Sequence, residues 1–75
     1  MVAQEMRQQL RRLIRSLPAR LRDPFLLAAS GRYSYEELSE ILDVPTGTLK
    51  WRISEARRIV REKLQRLGHT PASGL

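Results

Sequence analysis

Apolar residues recur near the start of the chain at Met6, Leu10, Leu13, Ile14 and Leu17, one stripe of a helix running from about Gln4 to Ser16. Arg7, Arg11, Arg12 and Arg15 cover its polar side. Pro18 breaks the pattern, because proline lacks an N–H and drives the residue before it out of the helical region. The same proline suits the first position of a second helix, where the missing donor has no partner to lose. Leu21, Phe25, Leu26, Leu27, Ala28 and Ala29 make this second segment the most apolar, which predicts the central helix of the domain. It stops at Ser30-Gly31, since glycine adopts a left-handed C-terminal cap without strain.

Ser34-Tyr35-Glu36-Glu37 predicts the start of a third helix. The pattern is a capping box: Ser34 accepts from one free N–H, and Glu37 reaches back to the N–H of Ser34. Leu38, Ile41 and Leu42 form the expected buried stripe, and the nearby glutamates suit the positive end of the helix dipole. Asp43-Val44-Pro45 leaves room only for a tight bend, with Pro45 setting the direction of the helix that follows. A short capped helix, a turn of three or four residues and a second helix make up the helix-turn-helix pattern. The fourth helix is expected from Thr46 to Leu67, with Leu49, Ile53, Ala56, Val60, Leu64 and Leu67 as its apolar seam. Small Ala56 admits close packing. At about 100° per residue, Gly47, Trp51, Ser54, Glu55, Arg58 and Glu62 lie on the opposite side. Lys50, Arg52, Arg57 and Arg61 fall on the flanks. Gly47 is a poor helix former, and close approach of a backbone or phosphate would account for it. No periodicity continues past Gly68, so residues 1–68 read as one domain and residues 69–75 as a flexible tail.

Charge decides what such a helix is for. The chain of 75 residues carries 14 Lys and Arg against 8 Asp and Glu, a net +6 with pI near 11.1. Residues 1–30 hold +4, residues 31–45 hold −3 and residues 46–75 hold +5. A surface kept merely soluble needs no such segregation; a polyanion-binding surface does, and nucleic acid is the commonest polyanion. With no cysteine and a lone His69, no disulfide framework and no metal site is expected. No apolar run nears the roughly 20 residues of a membrane span and no signal-peptide core is present, so a soluble, intracellular protein without a membrane partner is expected. The sequence holds no nucleophile–base pair, metal cluster or glycine-rich phosphate loop. An enzyme, a cofactor and a small-molecule substrate are therefore not expected.

Taken together, Leu17-Pro18, Phe25-Leu26-Leu27, Gly31, Ser34-Tyr35-Glu36-Glu37-Leu38, Val44-Pro45, Gly47-Thr48-Leu49-Lys50, Arg52 and Ala56-Arg57 resemble region 4 of bacterial extracytoplasmic-function sigma factors. The resemblance spans roughly residues 10–65 and is specific as a set, although no single tetrapeptide in it is. It implies an all-α, four-helix domain with a C-terminal helix-turn-helix, of the winged-helix-like or homeodomain-like class without a wing. It also implies bacterial cytoplasm, entry of the last helix into the major groove of the upstream (−35) promoter element, docking on the beta flap of RNA polymerase core, and sequestration by an anti-sigma factor. The promoter-melting module of sigma factors has no counterpart here, and Met1-Val2-Ala3 reads as an arbitrary start, so an excised domain is expected.

Carried onto this sequence, the family's groove-facing positions are Lys50, Trp51, Ser54, Glu55 and Arg58. Trp51 stands where the family commonly has a small polar residue, and Glu55 where some members carry a base. Arginine pairs bidentately with guanine O6 and N7, which makes Arg58 the first choice for a base contact, and a glutamate can accept from cytosine N4. Trp51 suits a thymine methyl, a sugar or a protein partner, or else lies over its own helix. Arg52, Arg57 and Arg61 on the flanks suit phosphates, as do the hydroxyls and free N–H groups at Ser34, Tyr35, Thr46 and Thr48. For the threonines the alternative is ordinary capping. Family promoter elements are often A-rich near their centre, which leaves room for readout of groove shape. Two other readings stand beside this one: an interaction module for an anti-sigma factor or polymerase subunit, working through the Leu and Phe side chains of the first two helices, and the dimeric output domain of a response regulator.

Overall fold

Residues 2–68 are described by the computed structural model, and among them the chain forms α1 (Val2–Ser16), α2 (Ala19–Ala29), α3 (Tyr35–Leu42) and α4 (Thr46–Arg66). The expected tail, 69–75, and His69 lie outside the described residues. The first break falls where proline predicts it, one position early. Pro18 is the N-cap of α2, with φ −56° and ψ 145°, and its carbonyl accepts from the N–H groups of Leu21 and Arg22 at 2.9 Å. Its extended ψ places it outside the helix proper. A second proline, Pro24, sits inside α2 and is buried. It removes the N–H that would reach the Arg20 carbonyl. At the other end Ser30 caps the helix and Gly31 takes φ +71°, the left-handed conformation expected of it.

The capping box forms in full. The Glu37 N–H donates to Ser34 Oγ at 3.1 Å, and the Ser34 N–H donates to Glu37 Oε1 at 2.9 Å. At the far end of α3 it is Asp43 that takes the left-handed conformation, φ 54°, which short polar side chains tolerate better than most. This kink turns the chain sharply, and the Val44 N–H then bonds back to the Ser39 carbonyl at 3.1 Å. The Ser39 hydroxyl donates to the Val44 carbonyl at 2.5 Å, closing the turn from its other side. The bend between α3 and α4 is therefore held by Ser39 and Asp43, which carry no hydrophobic signal, acting with the backbone of Val44.

The hub of the fold is α4, not α2. Its 21 residues extend about 31 Å, long enough to face α3, α2 and α1 in succession. With 11 residues, α2 reaches only part of that length, whatever its apolar content. Two buried clusters share the α4 seam. Leu49 and Ile53 pack with Leu38 of α3, bordered by Leu27, Ala28, Leu42 and Val44. Ala56, Val60 and Leu64 pack with Leu17 and Leu21, bordered by Leu10, Leu13, Ile14, Phe25 and Ile59. Ala56 is fully buried where α1 and α2 converge, which a larger side chain would prevent.

Two expected core positions are exposed. Ile41 is 55% exposed: α4 and α2 cover the Leu38–Leu42 side of a helix barely two turns long, and Ile41 lies around from it. Leu67 is 52% exposed because α4 ends one residue earlier and Leu67 is its C-cap, past the last covering side chain.

Candidate nucleic-acid interface

The turn closed by Ser39 and Val44 launches α4 with Pro45 as its N-cap, φ −60° and ψ 148°, and with no side-chain cap. The alternative of capping by the threonines is corrected. Thr46 is the first helical residue, and Thr46 and Thr48 are half-buried. Proline holds the cap position and has no hydroxyl, so the amides of the first turn keep no side-chain acceptor while the positive end of the helix dipole sits behind them. In the same turn Gly47 is exposed with an ordinary helical backbone, and a Cβ built there would meet nothing within 4 Å. Neither strain nor packing inside the chain explains a glycine at that position.

Lys50, Trp51 and Ser54 are exposed on the first three turns. Trp51 is 61% exposed, the most of any large apolar side chain described. The buried seam from Leu49 to Leu64 turns this face outward by helical periodicity alone. The Lys50 ammonium stands 5.7 Å from the centre of the Tyr35 ring, within the range of a cation–π contact. Tyr35, the first residue of α3, thereby joins the same surface. Ser34 is exposed beside it with its oxygen engaged in the capping box. Its hydroxyl proton still has a direction in which to donate.

The flanks differ from each other. Arg57 is exposed and Arg61 half-buried on one side. On the other, half-buried Arg52 lines a cleft with Ala19, Arg20, Asp23 and Pro24 of α2 and Leu42 of α3. Arg20 is a basic residue that no periodicity argument singles out; packing of α2 against α4 brings it beside Arg52. Further along that flank the Lys63 ammonium lies 3.4 Å from Ser16 Oγ of α1, which directs it away from the exposed face.

One turn beyond Trp51 the surface changes character. Arg58 Nη1 donates to both oxygens of Glu62 at 3.0 Å, and Nε donates to Glu55 Oε2 at 3.3 Å. Nη2 donates to Glu55 Oε1 as well. The bond from Arg58 holds the Glu55 carboxyl below its ordinary value of 4.5. Glu55 and Glu62 in turn push the Arg58 guanidinium further up. The structure thus joins Glu55, Arg58 and Glu62, all three on the predicted outward side, into one hydrogen-bonded cluster.

The exposed apolar side chains of the other helices gather elsewhere. Leu26, 46% exposed, lines an open groove with Leu27, Leu42 and Asp23 between α2 and α3. Phe25 points the other way, into the cluster beneath α1. Among the described residues no helix is long and apolar enough to cross a membrane.

The sequence model of the family described as "Sigma-70, region 4" matches residues 7–60. The chain is also 42% identical over 67 residues to the ECF RNA polymerase sigma-E factors of Escherichia coli strain K12 and Salmonella typhimurium strain LT2, a stretch covering 89% of this chain and 35% of each relative. The Haemophilus influenzae protein of the same name is 39% identical over 54 residues, 72% of this chain and 29% of that one. The chain therefore spans about a third of the length of the curated relatives it matches. No solved structure matches. The family match covers all of α2, the turn and most of α4, which sets aside the response-regulator alternative: with its four helices and capped helix-turn-helix, the chain belongs to the sigma-70 region 4 family, in the form found in extracytoplasmic-function sigma factors.

Proposed function

We propose that this chain binds double-stranded promoter DNA at the upstream (−35) element, as the region 4 part of a sigma factor directing RNA polymerase core to transcription initiation. The observation that carries it is the stretch of α4 from Thr46 to Ser54. It presents Lys50, Trp51 and Ser54 to solvent with uncapped amides behind them and no acidic side chain before Glu55. The N-terminal residues of a recognition helix are the ones that reach base edges. Lys50, Trp51, Ser54, Glu55 and Arg58 are assigned to bases. Ser34, Tyr35, Thr46, Thr48, Arg52, Arg57 and Arg61 are assigned to phosphates, where they position the helix without reading sequence. The chemistry is recognition alone, in the bacterial cytoplasm where the promoter is.

Selection of duplexes from a randomised pool at fixed salt tests the assignment. Arg58→Ala should relax selectivity at one position, and unchanged selectivity would refute the base contact. Arg52→Ala and Arg57→Ala should weaken all duplexes alike and lower the salt slope by about 0.9 for each lost phosphate contact.

A second surface favours protein partners. The groove of Leu26, Leu27 and Leu42, with Ile41 exposed on α3, supports docking of the polymerase beta flap or an anti-sigma factor. Binding of a flap fragment that is lost on Leu26→Asp, with duplex binding intact, would bear out this division of surfaces.

A further inference from the structure

Glu62 belongs to none of the contacts assigned above, yet it is the residue that holds Arg58 most symmetrically. Guanidinium carries five N–H donors. One N–H of Nη1 is shared between the two oxygens of Glu62, and Nε–H with one hydrogen of Nη2 is aimed at Glu55. Both edges of the guanidinium therefore have a nitrogen engaged by a carboxylate. A bidentate guanine contact takes two donors side by side, so Arg58 meets a guanine with a carboxylate competing for it at either edge. The three side chains together carry −1, in the middle of a helix whose preceding turns are basic. A phosphate offered to this cluster gains one arginine and faces two carboxylates.

A G·C pair offers something different. Guanine O6 and N7 replace the acceptors that Arg58 gives up, and cytosine N4 donates to the carboxylate that is released. Resting on the function proposed above, we infer that Glu62 is a specificity-determining positioning residue: it withholds Arg58 from phosphates and yields it only to a base pair that replaces the lost acceptors. Glu55 lies about two turns nearer the start of the helix than Glu62, and so nearer the bases; Glu62 lies toward the groove rim. Each carboxylate has its own part, Glu55 reading the pair and Glu62 restraining the arginine.

The test is a double-mutant comparison on the full chain, with helical content checked by circular dichroism because all three side chains are on the surface. Binding to a random-sequence duplex is followed by fluorescence anisotropy across a salt series for the wild type, Glu62→Gln, Arg58→Ala and the double variant. Freed from Glu62, Arg58 gains about one phosphate contact. Glu62→Gln should then bind roughly fivefold to tenfold tighter near 0.1 M salt and steepen the salt slope by about 0.9. In the Arg58→Ala background the same change should do neither. Equal tightening in both backgrounds would mean simple repulsion of phosphate by Glu62 and would overturn the inference, as would an unchanged slope in the single variant. In selections from a randomised pool, Glu62→Gln should lose preference for a G·C pair at one position; retention of that preference also refutes it. If the wild type binds no duplex at all, the DNA reading itself falls and takes this one with it, an outcome distinct from binding without coupling.

Discussion

Ser34 and Glu37 each satisfy the other's backbone N–H, at 3.1 and 2.9 Å, and in doing so they fix where α3 begins. Because α3 has 8 residues, its first turn is a large part of the helix that supports α4. Ser34→Ala should destabilise the fold by about 1 kcal/mol. In a domain this small, that lowers the thermal midpoint by about 4–8 °C. Ser34→Thr or Ser34→Asp should restore most of the loss. A midpoint within a degree of wild type for Ser34→Ala would show that tertiary packing alone holds α3.

Leu38 and Ile53 are buried face to face between α3 and α4, whereas Ile41 and Leu67 are more than half exposed. Leu38→Ala or Ile53→Ala should cost about 2–5 kcal/mol through lost contacts and the cavity left behind. A chain of this length has a total stability of only about 4–11 kcal/mol, so either variant should be partly unfolded. Ile41→Ala and Leu67→Ala should stay within about 0.5 kcal/mol of wild type. Urea denaturation of the four variants checks the contrast.

Gly47 is exposed in the first turn of α4 with open space around it. Gly47→Ala should therefore stabilise the fold by about 0.5–1 kcal/mol, since glycine in a helix loses more conformational freedom than alanine. The same variant should bind duplex more weakly, because a methyl would stand between the helix backbone and an approaching phosphate. Stability and binding moving in opposite directions would point to a glycine retained for function. A more stable variant with unaltered binding would remove that explanation.

Glu55 is held below its ordinary value of 4.5 chiefly by its bond from Arg58. In the unfolded chain the carboxyl returns to its ordinary value, so near that pH the unfolded state binds more protons than the folded one. The contribution is fully present above 4.5 and is lost as the pH falls below it, through the depressed folded value. Both partners are on the surface, so the effect is small and screened by salt. Denaturation series at falling pH should show a shallower acid-side decline for Arg58→Ala than for wild type. Identical declines would mean that the pair contributes nothing to folding.

Much of this molecule is readable from spacing, and most of the misreadings arise where separate helices pack. The capping box, the left-handed Gly31 and the seam from Leu49 to Leu64 depend on residues within a turn or two of each other, where helical geometry dictates the outcome. Exposure of Ile41 depends on how far α4 and α2 wrap around α3, which no local pattern encodes. Apolar content points to α2 as the hub, whereas length decides for α4, which meets α1, α2 and α3 along its seam. At the interface, periodicity is enough to turn Trp51, Ser54 and Arg58 outward, with Lys50 on a flank. It could not bring Arg20 next to Arg52, because that proximity arises from packing of separate helices. Nor did it single out Glu62 as the residue that would hold Arg58, although the spacing of four was in plain view. Periodicity says which residues share a face, not which donors are already taken.

Where the helices lie, which face of each is apolar and that the last one is basic are therefore properties of the chain itself, because they follow from the dihedral preferences and side chains of near neighbours. How α1, α2 and α3 divide the length of α4 between them, and which neighbours Arg52 and Lys63 on its flank meet, belong to the packed state. Those outcomes depend on distances across the fold, where burial and hydrogen-bond geometry choose among arrangements that the local pattern leaves equivalent.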